Sequence, residues 1–133
     1  MEQTSKHFRK RDAILTCVRA TDVHPSADWV YARLKPEFPD ISLGTVYRNL
    51  NLFKNQGLIV SLGTVNGVER FDGNTDPHVH FICTECDGVT DLPHIQVPQS
   101  LCSQAADETG GQVNVCHLSF TGLCNRCCST RNP

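Results

Sequence analysis

The sequence predicts an α+β protein in two parts: three helices and a β-hairpin, followed by a small α/β domain stapled by cysteine pairs. Three observations predict it. Apolar residues recur at helical spacing three times before residue 57, and an Asn-Gly pair separates two strand-like runs within 58–71. Two Cys-x-x-Cys pairs, Cys83/Cys86 and Cys124/Cys127, bracket most of the second half.

The chain has 133 residues, enough for one ordinary domain or two small ones. Two domains this small each bury little apolar surface, so one needs a metal staple or a dimer partner. The turn-rich stretch Gly73-Asn74-Thr75-Asp76-Pro77 reads as a hinge, giving domains at 1–72 and 78–133 with the hinge at 73–77.

The elements follow in order. Segment 9–20 carries Ala13, Ile14, Leu15, Cys17 and Val18 and predicts a buried helix. Ser26 is a candidate N-cap for a second helix, with Ala27, Val30, Tyr31 and Leu34 on one face and Pro36 and Pro39 ending it. Ser42 is the next N-cap. After it Val46, Leu50 and Phe53 recur at i, i+4, i+7, and Gly57 is a natural C′ terminator. Leu58–Leu62 and Val68–Phe71 flank Asn66-Gly67 and predict a hairpin. Helix, helix, helix, wing is the winged helix-turn-helix order, in which the third helix enters the major groove. The second half predicts strands at 78–82, 89–92 and near 95–97, a helix at about 99–108 stopped by Gly110-Gly111, and a strand at 112–120. The two cysteine knuckles sit at 83–88 and 124–127, and a short polar tail follows at 129–133.

Charge is uneven. Residues 1–72 carry ten Lys/Arg against eight Asp/Glu, and residues 73–133 carry two against six. Lys6, Arg9, Lys10 and Arg11 form the densest basic group, suited to phosphate contact or simply to a solvated helix face. No apolar run approaches a membrane span, and residues 1–20 lack the apolar core of an export signal. The expected location is therefore cytoplasmic, with no membrane partner. Eight cysteines in a reducing compartment, four of them in Cys-x-x-Cys pairs, point to metal binding or redox chemistry rather than to disulfides.

Cys83, Cys86, Cys124 and Cys127 place four sulfurs about one tetrahedral ion, and the 37 residues between the pairs leave room for strand, helix and strand. That set predicts structural Zn²⁺. The competing reading is a redox dithiol, which needs its Cys-x-x-Cys beside a βαβ unit. Cys128 is an alternative fourth ligand, although Cys127 alone preserves the spacing, and Cys17, Cys102 and Cys116 read as buried small hydrophobes. His78 and His80 project to one face of a strand, and Asp91 lies on the next strand-like run. Two surface histidines are the plain alternative. With His24 and Asp72 added, the set becomes three imidazoles and two carboxylates, which suits Fe²⁺ or Mn²⁺ better than Zn²⁺. On the third helix, Tyr47 and Arg48 stand beside each other on the polar face, where Arg reads guanine edges and Tyr contacts a thymine methyl. Asn51 lies off the apolar stripe as well, and Ser42 and Thr45 open the helix.

These stretches resemble the ferric uptake regulator superfamily, most closely its peroxide-stress repressor branch, over about residues 8–127. The resemblance rests on His24-Pro25-Ser26-Ala27-Asp28, Thr45-Val46-Tyr47-Arg48-Asn49-Leu50, Arg70-Phe71-Asp72, Asp76-Pro77-His78-Val79-His80-Phe81-Ile82-Cys83, Cys86 and Cys124-Asn125-Arg126-Cys127. It implies a homodimeric repressor of operator DNA, with a C-terminal dimerisation domain. It implies a regulatory Fe²⁺ or Mn²⁺ site of His24, Asp72, His78, His80 and Asp91, and a structural zinc site of Cys83, Cys86, Cys124 and Cys127. Tyr47 and Arg48 would contact bases, with Ser42, Thr45, Asn51 and Arg11 as further contacts. Aspartate at position 91 matches the peroxide-sensing branch, where iron-sensing members carry glutamate. In that branch bound Fe²⁺ reacts with hydrogen peroxide and oxidises a ligand histidine, here His24 or His78, whereas the Mn²⁺ form is insensitive. An iron- or zinc-uptake repressor is the alternative within the family. Two departures stand out. Phe8-Arg9-Lys10-Arg11 matches the family stretch before the first long helix only at Arg11, and a histidine of iron-sensing members falls at Cys116, with His117 one residue off.

An enzyme is the competing class, because two histidines and a carboxylate also make the facial triad of an iron oxygenase. Five protein ligands leave at most one open position, so the sequence favours a non-enzymatic regulator without an organic substrate.

Overall fold

The computed structural model describes residues 2–131 except Pro77 and Val115, with side chains described from 9 to 129. The hinge position Pro77, the strand position Val115, the tail end 132–133 and the side chains of Lys6 and Phe8 lie outside the described residues. The chain divides into two compact units, Met1–Thr75 and Asp76–Pro133.

The first unit runs α1 (Glu2–Arg19), α2 (Ala27–Leu34), α3 (Leu43–Asn55), β1 (Val60–Val65) and β2 (Val68–Asp72). Its core joins Ile14 and Val18 of α1, Val30 and Leu34 of α2, Val46, Leu50 and Phe53 of α3, and Phe71 of β2. Burying these side chains supplies about 1.5–3 kcal/mol each. The first helix starts earlier than residue 9. Its leading turns carry no apolar stripe, but Glu, Gln and Lys are good helix formers and extend a helix that Ile14 and Val18 anchor.

Both capping serines act as the spacing predicts. Ser26 Oγ accepts from Trp29 N at 3.1 Å and Ser42 Oγ from Thr45 N at 3.1 Å. At the far end of α3, Gly57 takes φ 76°. Its N–H reaches Lys54 O at 3.1 Å, and Leu58 N–H reaches Phe53 O at 2.9 Å, the paired bonds of a Schellman stop. Asn66 and Gly67 both have positive φ, 52° and 82°, as the tight two-residue hairpin turn requires. A register shift between Ser61 and Thr64 bends β1.

The second unit comprises β3 (Val79–Cys83), β4 (Val89–Leu92), α4 (Gln99–Thr109), β5 (Ser119–Gly122) and α5 (Asn125–Arg131). The sheet order is β4-β3-β5, with β3–β4 antiparallel and β3–β5 parallel. Helix α4 buries none of its residues and ends on left-handed Gly110 at φ 70°.

Three expectations need correction here. Segment 95–97 is not a strand: it lies between Pro93 and Pro98, and Ile95 N turns back to Leu92 O at 3.2 Å. Among the described residues, the strand expected at 112–120 is confined to Ser119–Gly122. Its partner β3 begins only at Val79, so the ladder's paired register starts at His80↔Ser119, with His80 N donating to Leu118 O at 3.4 Å just ahead of it. The second knuckle opens a helix, α5, which no apolar periodicity announced; Cys124 O accepts from Cys128 N at 2.8 Å.

Candidate metal centres and recognition helix

The four paired cysteines meet in the second unit. One sulfur from each of Cys83, Cys86, Cys124 and Cys127 lies within 4.8 Å of all the others. The first knuckle is a tight turn: Cys83 N donates to Gly88 O at 2.9 Å, Asp87 N to Cys83 O at 3.0 Å, and Asp87 is left-handed at φ 62°. A Cβ on Gly88 would lie 3.3 Å from Cys86 Sγ, so the turn is closed tightly against the thiol. The second knuckle is brought in by the parallel β3–β5 ladder, and Thr84 N donates to Gly122 O at 2.8 Å.

The geometry fits tetrahedral zinc. Zn–S bonds of about 2.3 Å put tetrahedral sulfurs about 3.8 Å apart, and Cys86 Sγ and Cys124 Sγ are 3.9 Å apart. A disulfide would need about 2.05 Å. Cys128 is exposed and is not one of the four converging residues.

The thiols are poised unequally. The backbone amides of Cys124 and Cys86 hold Cys83 down at about 6, with the Cys124 N–H 3.4 Å from its sulfur. Cys124 is lowered by the Cys127 amide and thiol, and Cys127 is pushed up to about 12 by its hydrogen bond to Cys124 and by burial. Four thiolates this close repel one another unless a cation neutralises them. At neutral pH the zinc-free cluster therefore already holds Cys83 as thiolate, and zinc uptake should release fewer than four protons. The count should rise as pH falls through about 6, where Cys83 gains its proton. Calorimetric binding enthalpies in buffers of different ionisation heat measure that count, and release of four protons at neutral pH would contradict it.

Histidines and carboxylates gather in both units. In the second unit, His80 stands opposite Asp91 in the β3–β4 register. His78 Nε2 and His80 Nε2 each lie 3.2 Å from Asp91 Oδ1, and the two rings are 4.3 Å apart. His78 Nδ1 is 2.6 Å from Asp76 O; donating there leaves Nε2 with its lone pair toward the carboxylate face. In the first unit, His24 and Asp72 are both buried, with Nε2 and Oδ2 3.4 Å apart. Asp72 Oδ1 accepts from Asn74 N at 2.9 Å, which fixes the carboxylate.

Helix α3 presents Tyr47, Arg48 and Asn51 outward while Val46, Leu50 and Phe53 face the core. Tyr47 is 41% exposed. Arg48 Nη2 donates to Thr45 Oγ1 at 3.2 Å, and that hydroxyl is 2.9 Å from Ser42 Oγ. Ser42 and Thr45 thus hold Arg48 along its own helix. The basic cluster of α1 is less available to phosphate than its sequence suggests. Lys10 pairs with Asp40 at 3.1 Å and Arg9 lies 5.7 Å over the Phe38 ring, while Arg11 is exposed.

A family model described as the ferric uptake regulator family matches residues 2–121. The chain belongs to the ferric uptake regulator family. It is 36% identical over 122 residues to the peroxide-responsive repressor PerR of Staphylococcus saprophyticus, covering 89% of this chain and 79% of that one. Its fold matches the Campylobacter jejuni peroxide stress regulator with a TM-score of 0.78 and 30% identity, over 95% and 94% of the two chains. A Francisella tularensis ferric uptake regulator solved with iron gives 0.72 and 27%, over 88% and 89%. Membership makes this chain a metal-responsive transcription regulator, and its structure supplies the four-cysteine cluster and the histidine and carboxylate donors.

One expectation about the remaining cysteines shifts, and two residues emerge. Cys17, Cys102 and Cys116, expected as buried, are each half-buried. Cys17 lines a groove between α1 and α2 with Asp12, Trp29 and Arg33, and partial burial pushes its thiol upward. Sequence reasoning assigned no role to Arg70, which bonds the loop carrying His24, or to Gly73, where a Cβ would lie 2.7 Å from Arg19 Cα. Arg70 stood in a motif without a local partner, and Gly73 read only as a turn residue.

Proposed function

We propose that this chain is a homodimeric, DNA-binding repressor that responds to peroxide through oxidation of a histidine ligand of bound Fe(II). The observation that carries the reading is the pair of imidazoles converging on Asp91 in the second unit, with a buried His24–Asp72 pair in the first. We assign His24, Asp72, His78, His80 and Asp91 to one Fe²⁺ or Mn²⁺ ion. Three nitrogen and two oxygen donors suit those metals, whereas the four thiolates suit structural Zn²⁺. Ferrous iron held there would supply electrons to hydrogen peroxide, and the oxidised side chain would be His24 or His78. The Staphylococcus relative, named for peroxide response, supports this branch over an iron- or zinc-uptake repressor.

The residues act by linkage. Ligands from both units, gripping one ion, restrict the hinge and favour the arrangement that binds DNA. In a dimer that arrangement sets the spacing of two α3 helices, which must reach half-sites about 34 Å apart. Tyr47 and Arg48 would read bases, and Ser42, Thr45, Asn51 and Arg11 would position the helix on phosphate and sugar. A second copy is the expected cover for the second unit's exposed apolar groups, Ile95 before α4, Leu101 on α4 and Phe120 on β5. The reading is of a cytoplasmic regulator and not an enzyme, and no helix among the described residues is long and apolar enough to cross a membrane.

The test is operator binding by fluorescence anisotropy with Fe²⁺ or Mn²⁺, before and after hydrogen peroxide. Peroxide should release the Fe²⁺ form alone, and peptide mass spectrometry should find one added oxygen on the peptide carrying His24 or His78. Peroxide-insensitive binding with Fe²⁺, or release without histidine oxidation, would overturn the sensing mechanism.

A further inference from the structure

The loop that carries His24 is laced to β2 through three successive carbonyls. Val23 O accepts from Arg70 Nη2 at 2.7 Å, His24 O accepts from Arg70 Nε, and Pro25 O accepts from Phe71 N at 2.9 Å. His24 itself is left-handed, φ 57°, a conformation that a non-glycine residue holds only when its surroundings impose it. Asp72 lies two residues beyond Arg70 on the same strand, so one element carries both the clamp and the carboxylate facing His24. The guanidinium grips two adjacent carbonyls as a fork, which a lysine ammonium, a single point donor, does not reproduce.

We propose that Arg70 is the positioning residue for the regulatory ligand His24: it imposes the strained loop that points the imidazole at Asp72. This rests on the metal assignment above. Arg70 would touch no metal, and its effect would pass entirely through His24.

The test measures Mn²⁺ affinity from free Mn²⁺ by electron paramagnetic resonance in the two-unit chain as wild type, Arg70→Met, Arg70→Lys, His24→Ala and the Arg70→Met/His24→Ala double variant. Arg70→Met should weaken Mn²⁺ binding about 10- to 100-fold, as loss of an outer partner of a ligand does. In the His24→Ala background it should weaken it no further. Arg70→Lys should fall between wild type and Arg70→Met, and it carries the test should Arg70→Met fail to fold. Zinc content should stay at the wild-type level throughout. An equal loss with and without His24 would show a general structural role and overturn the proposal. Wild-type affinity in Arg70→Met beside a loss in His24→Ala would overturn it alone. Wild-type affinity in His24→Ala would remove the metal assignment and the proposal together.

Discussion

His24→Ala is expected to abolish metal-dependent operator binding while leaving zinc content and the dimer intact. The imidazole is 2% exposed, on a strained loop 3.4 Å from Asp72, and nothing about it concerns the four-cysteine cluster of the other unit. Its removal takes one of five proposed donors and leaves the first unit with a lone carboxylate. Changing an outer partner of a ligand already costs 10- to 100-fold in metal affinity, so removing a ligand should cost at least about 100-fold. By linkage, that loss withdraws up to about 2.7 kcal/mol of preference for the metal-bound state. Operator titration against Mn²⁺ measures it directly. Unchanged metal dependence would remove the basis of the switch.

Cys124→Ser should do something different and larger: unfold the second unit while sparing the first. The two units differ in what holds them. The first has a continuous core from Ile14 through Phe71. Among described residues of the second, the buried apolar side chains are Val79, Val89, Cys83 and Cys127, and two of those are proposed zinc ligands. A core of that size needs a metal staple or a partner copy to hold it, and the four-cysteine cluster is the support within the chain. Structural zinc contributes on the order of 10 kcal/mol in such sites. Amide hydrogen exchange should therefore show β3 and β5 unprotected in Cys124→Ser, with α3 still protected. Persistent protection of β3 in the zinc-free variant would show that packing alone holds the unit.

The experiments separate because the two losses have different origins. His24 is packed by its own unit, and its proposed role is in metal binding rather than folding. Cys124 joins the end of the chain to β3 through its sulfur and through its amide, which donates to Cys83 Sγ. Its loss removes a constraint on folding before it removes any ligand chemistry.

How much of this was legible depended on the range of the signal. Ser26, Ser42, Gly57 and Asn66-Gly67 declared their roles within four residues, because capping and turn formation are local. The Cys-x-x-Cys spacings and the same-face relation of His78 and His80 are local as well. The described residues 112–114 and 116–118 misled because alternating apolar residues describe what a strand needs on its faces, not whether a partner lies beside it. Helix α5 was missed for the opposite reason: Asn125-Arg126-Cys127-Cys128 has no apolar stripe, and the helix is fastened at the knuckle instead.

Helix ends, turns, the outward polar face of α3 and the types of metal donor were all written in short stretches of chain, where a side chain meets its own neighbours. Three placements were not. Asp91 opposite His80 is a matter of strand register, the Cys124 amide on Cys83 follows from a parallel crossover, and the Arg70 clamp spans 46 residues to His24. Each joins groups far apart in the chain, and such contacts form only when burial has chosen one pairing among many that local propensity allows equally.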